Sequence, residues 1–86
     1  MGMDLIGADI SYNWHGWMYL ISKLNEWGVD TSEFRGCNDG DPISKETCIA
    51  VADAIEHHLS ELDDVERSFL EPDIDKWRSC DGCEQW

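Results

Sequence analysis

Basic residues are scarce in this chain of 86 residues: six Lys and Arg stand against nineteen Asp and Glu, a formal net charge of −13. A field of that sign repels nucleic-acid phosphates and anionic membrane surfaces, so direct binding to either is disfavoured. The chain also lacks an apolar run of the about 18 residues that a membrane-spanning helix needs. Its start, "MGMDLIGADIS", has neither a basic stretch nor a long apolar stretch of the secretory kind, and a soluble, cytoplasmic protein is expected. The leading Met1-Gly2 carries no weight. No nucleophilic-serine motif, phosphate-cradling glycine loop or H-E-x-x-H occurs, and acidic pairs are too numerous for any one to stand out. So short a chain is also hard to fold around a deep cleft. Catalysis is therefore not expected, and a small enzyme ranks third among the functional readings.

What the chain does contain is apolar matter for one small core. Hydrophobic residues make up 42% of it, five of them Trp, enough for residues 1–86 to fold as a single domain although a chain this short buries only about 60 to 65% of its unfolded surface. No repeat, linker or low-complexity segment interrupts it.

Periodicity points to a mainly α fold with two principal amphipathic helices and a short third one. In "NWHGWMYLISKLNEWG", Trp14, Trp17, Met18, Ile21 and Leu24 recur at spacings of three and four, which predicts a helix over about 14–27. Asn13 suits the N-cap and Gly28 the left-handed position past the end. Leu20 and Trp27 fall outside that stripe and need cover, expected from the C-terminal segment; an uncovered Trp27 would instead serve a partner. A second stripe, Cys48, Val51, Ala52, Ile55, Leu59 and Leu62, predicts a helix over about 45–62. Val65 and Phe69 would carry it on to about Leu70, before Pro72 breaks it. A short helix over residues 73 to 80 would turn Ile74 and Trp77 inward and end near Gly82.

Between the two long stripes lies "CNDGDPISKETC". Aligned as a calcium-binding loop with Gly40 at its sixth position, it offers Asp39 and Glu46. However, it places Arg35 and Cys37 where carboxylates are required and Pro42 at an apolar position. Read as punctuation it accounts for more residues: Asn38, Asp39 and Gly40 make a turn, Ser44 caps the next helix, and Ile43 with Cys48 forms a hydrophobic staple. Punctuation is the reading adopted.

The series "MDLIG", "NWHGW", "NDGD" before a capped helix, and an aromatic C-terminal tail resembles a group of small uncharacterised bacterial and phage proteins. That resemblance implies a closing glycine turn and a short terminal strand, and it brings no activity. Here the tail is "CDGCEQW", less apolar than the group's, which counts against the strand. If the strand forms, it pairs with "DLIGADISY" and makes the fold α+β, the alternative to mainly α.

Four cysteines without a secretory signal suggest reduced thiols or metal ligands more than a disulfide framework. Cys80 and Cys83 form a C-x-x-C turn able to aim two thiolates at Zn²⁺, with Cys37 as third ligand and Cys48 or His58 as fourth. Of the adjacent histidines, His58 lies nearer the apolar stripe than His57. No cofactor is the first expectation and zinc the alternative. Redox catalysis by this pair is disfavoured, because only three residues follow Cys83 and no helix begins there.

Acids crowd the second half of the chain. Glu56, Glu61, Asp63, Asp64, Glu66, Glu71, Asp73 and Asp75 are opposed in their segment by Arg67 alone. A solvated surface is one explanation; the other is a face for a basic protein partner. The reading is an acidic interaction or accessory protein without catalysis, with Trp27 as a candidate apolar anchor. A zinc-stabilised binding module is the alternative, and a homodimer is left open.

Overall fold

The computed structural model describes residues 2–34 and 39–86. The fold is α+β, which corrects the mainly α expectation. Strands β1 (Gly2–Ile6), β2 (Ile10–Asn13), β3 (Asp41–Ile43) and β4 (Cys83–Gln85) form one antiparallel sheet. The helices are α1 (Trp14–Glu26), α2 (Lys45–His58), α3 (Asp64–Leu70) and α4 (Ile74–Ser79).

Strand order is β2-β1-β4-β3, so the C-terminal strand is inserted between two strands from the first half. Leu5 pairs with Gln85 and Ile43 with Cys83. The period-two pattern behind this is short but regular: Met3, Leu5, Ile10, Tyr12, Ile43, Cys83 and Gln85 are buried on one face, while Asp4, Ile6, Ser11, Pro42 and Glu84 are exposed on the other. The terminal strand does pair with the "DLIGADISY" region. Its polar Gln85 is accommodated because the side-chain amide nitrogen is paired, donating to the carbonyls of Glu33 at 2.7 Å and Asp41 at 3.1 Å. Pro42 sits in β3 at the sheet edge, where its missing N–H costs no central ladder bond. The punctuation stretch is thus also an edge strand. Gly40 enters it with φ +78°, under the ring of Trp86; a Cβ there would lie 2.4 Å from the ring.

Helix α1 begins and ends as its residues dictate. Asn13 Oδ1 accepts the Gly16 amide at 2.7 Å. Past the helix, the Gly28 amide (φ +79°) donates to Asn25 O and the Val29 amide to Leu24 O, the paired reverse bonds of a Schellman ending. The buried residues are Trp17, Leu20 and Leu24, and Met18 is exposed. The inward face is therefore rotated by about 60° from the predicted stripe. Trp27 is covered by His58 of α2, whose ring stacks on it at 4.6 Å and 3°.

The second helix stops at His58 and does not run on to Leu70. A 3-10 turn over Leu59–Glu61 follows, Leu62 becomes extended, and α3 starts afresh. The cause is a capping box: Asp63 Oδ1 accepts the Glu66 amide at 2.8 Å and Glu66 Oε1 accepts the Asp63 amide at 3.2 Å. Restarting the helix changes its phase, so Val65, expected inside, is 79% exposed, whereas Leu70 is fully buried. Leu59 is only half-buried. Pro72 sits in a second 3-10 turn, Glu71–Asp73, that leads directly into α4.

The core is strung on aromatic rings. Tyr12 stacks near Trp17 at 6.0 Å and meets Phe69 at 5.4 Å, while Phe34 lies between Trp17 and Trp77. Trp77 Nε1 donates to the Tyr12 hydroxyl at 3.3 Å, which in turn donates to Asp73 Oδ2 at 3.1 Å. This chain ties β2 to α4 and to the turn before it.

Candidate functional site

The eight acids of the candidate face divide by what they hold. Glu56 and Asp53 grip Arg78 at 3.2 and 2.8 Å, joining α2 to α4. Glu61 pairs with His58 Nδ1 at 2.7 Å. Asp63 and Glu66 form the capping box, and Glu66 also accepts the Tyr19 hydroxyl. Asp73 accepts the Tyr12 hydroxyl. These five are occupied within the fold.

Asp64, Glu71 and Asp75 are different: they are exposed, and their carboxylates engage no partner among the described residues. Asp64 and Glu71 stand seven apart, two helical turns, on the solvent side of α3 and the turn after it, with exposed Ser68 between them. Asp75 follows in the first turn of α4. Among the described residues, no cation pairs with any of the three. Arg67 reaches the carbonyls of Leu59 and Leu62, Arg78 holds Asp53 and Glu56, Lys23 faces Glu26 and Glu66, Lys45 faces Asp81, and Lys76 donates to the Asp9 carbonyl. Sequence counting could see the cluster, but which groups each cation faces is a tertiary fact.

Several carboxyl and hydroxyl groups are perturbed by these contacts. The Tyr19 hydroxyl, with the Asp63 amide and Lys23 helping, holds Glu66 below the usual carboxylate range. Burial first, then the charge of Asp73, pushes Tyr12 well above the ordinary phenol range. At Glu66 the shift follows from a phenol donating to an ionised carboxylate, and at Tyr12 the like contact with Asp73 only adds to the larger effect of burial.

Trp27, the expected anchor, is half-buried under His58 and lines a polar recess with Asp53, Ala54, Glu56, His57 and His58. An apolar groove lies elsewhere, between α1 and α3, lined by His15, Gly16, Tyr19, Val65, Glu66 and Phe69, with a volume of about 280 Å³. The signal for it was Val65, an apolar residue directly after the Asp63-Asp64 start of α3.

The described residues include Cys48, Cys80, Cys83 and His58 of the zinc set. Cys37 lies outside the described residues, as do Arg35 and Cys37 of the calcium-loop alignment. His58 occupies the far end of α2 from Cys48, about 15 Å along the axis. Cys48, Cys80 and Cys83 do come together, buried and free, where α2 starts, α4 ends and β4 begins. Hydrogen bonding to the Cys83 thiol, then burial, raises the Cys48 thiol far above its ordinary range, and burial raises Cys80. Such thiols are poor nucleophiles. Among the described residues, no group of three His, Cys, Asp or Glu is arranged to hold a metal ion. Nor, among them, is any helix long and apolar enough to cross a membrane.

No protein-family model, no curated protein and no solved structure matches the chain. Its functional reading therefore rests on its own side chains.

Proposed function

We propose that the protein is an acidic accessory protein that binds a basic surface on another protein and performs no catalysis. The observation that carries this reading is the set Asp64, Glu71 and Asp75: three exposed carboxylates that pair with none of the described cations. Uncompensated like charge destabilises the compact state by self-repulsion. A basic partner relieves that repulsion on binding and is steered toward the face from a distance. The compartment proposed with it is the cytoplasm, where thiols such as Cys48, Cys80 and Cys83 stay reduced.

The test is to isolate partners at low salt with the wild-type chain, identify one, and measure its affinity for a variant carrying Asp64→Asn, Glu71→Gln and Asp75→Asn. A basic partner that loses affinity for the variant supports the reading. Equal affinity for both forms removes it.

A further inference from the structure

The groove between α1 and α3 is built from both helices. Gly16 makes room for it on one side: a Cβ at that position would lie 2.8 Å from Cζ of Phe69, so the missing side chain lets the Phe69 ring pack against the α1 backbone. Tyr19 closes one end through its hydroxyl bond to Glu66. On the other side Val65 stands 79% exposed, and Met18, 53% exposed, lies one turn from His15 on α1. Isolated apolar side chains on a surface need no explanation, but here exposed apolar atoms line a concave site. At about 280 Å³ it is just below the about 300 to 1,000 Å³ of pockets that enclose a small molecule, and suits one or two side chains of a larger partner.

Its surroundings select the partner. Glu66 lines the groove, and Asp63 and Glu26 are near enough to Tyr19 for their charges to act on its hydroxyl. Along α3, Val65 and Phe69 lie about 100° around the helix from Asp64, Ser68 and Glu71, so the groove and the uncompensated acidic face adjoin. A second copy of the chain would bring another net charge of −13 against this rim, and an anionic membrane meets the same repulsion.

We propose that this groove docks an apolar side chain carried by a basic segment of another protein, with the flanking Lys or Arg residues of that segment lying against Asp64 and Glu71. The inference rests on the reading that the partner is a basic protein, and it adds the apolar contact that charge alone does not provide.

The probe is a library of short randomised peptides displayed on phage and selected against the full chain at low salt. Enriched peptides are then synthesised and titrated against wild type, Val65→Ser, Val65→Leu and the triple variant Asp64→Asn, Glu71→Gln, Asp75→Asn. Because Val65 is mostly exposed, neither change at that position should disturb the fold, which circular dichroism checks. The expected result is enrichment of peptides pairing an apolar residue with Lys or Arg, about tenfold weaker binding to Val65→Ser, retained binding to Val65→Leu, and weaker binding to the triple variant. Basic peptides that bind Val65→Ser as tightly as wild type overturn the groove and leave the acidic reading standing. Failure of any basic peptide to enrich removes both. Enriched peptides that are apolar but not basic, or a concentration-dependent dimer abolished by Val65→Ser, overturn the proposed occupant.

Discussion

The Glu33 carboxylate accepts the backbone amide of Ser44 at 2.5 Å and, through its other oxygen, the hydroxyls of Ser44 at 3.1 Å and Thr47 at 2.8 Å. A loop acid thereby closes the start of α2, whose own cap, Ser44 Oγ, accepts the Thr47 amide. The Ser44 amide, with the two hydroxyls, holds Glu33 below the usual carboxylate range, against the opposing effect of burial. A folded-state pKa below the unfolded one means stability that is fully present above the unfolded value, near 4.5, and lost as pH falls through the folded value. Glu33→Gln should therefore cost about 1 to 2 kcal/mol at neutral pH, a charge-assisted bond discounted for partial exposure. Its stability should also fall less than that of wild type on acidification. Urea melts at neutral and acidic pH measure both; parallel losses for the two proteins would contradict the assignment.

The break between α2 and α3 depends on Asp63. Asp63→Ala should cost about 0.5 to 2 kcal/mol, the usual loss for an N-cap, and weaken amide-exchange protection in α3 more than in α2. Uniform change along both helices would mean that the two are one cooperative rod.

Much of this was readable, and the rest fails for physical reasons. Asn13, Gly28 and Ser44 act locally, on groups within a few residues, and each does what its chemistry requires. The capping box was equally local, but the spacing of Val65 and Phe69 from the α2 stripe masked it. The strands were not legible as a sheet because each is short and the decisive pairing joins Leu5 to Gln85, the two ends of the chain. The acidic cluster was visible, yet which carboxylates remain available depends on Tyr12–Asp73 and Tyr19–Glu66, contacts between distant segments.

Core energetics should separate Ile55 of α2 from Leu59, just past its end. Ile55 is fully buried while Leu59 is half-buried at the start of the 3-10 turn. Ile55→Ala should cost about 2 to 5 kcal/mol and Leu59→Ala clearly less. Denaturation midpoints decide this, and equal shifts would place Leu59 in the core after all.

The buried thiols should be silent in the native state. Cys48, Cys80 and Cys83 are expected to resist alkylation until the chain is unfolded, since all three are buried and raised pKa values further suppress the thiolates of Cys48 and Cys80. Mass spectrometry after brief labelling, with and without denaturant, reads this directly. Labelling of native protein that appears only after treatment with a strong chelator would instead reveal a bound metal.

Recruitment of a basic partner by the acidic face makes the association rate depend on ionic strength. With a basic ligand obtained as above, the wild-type rate should fall steeply as salt rises, and the form with Asp64→Asn, Glu71→Gln and Asp75→Asn should start slower and respond less. Rates that are equal for the two forms and indifferent to salt would contradict that recruitment and leave the acids as a solvated surface.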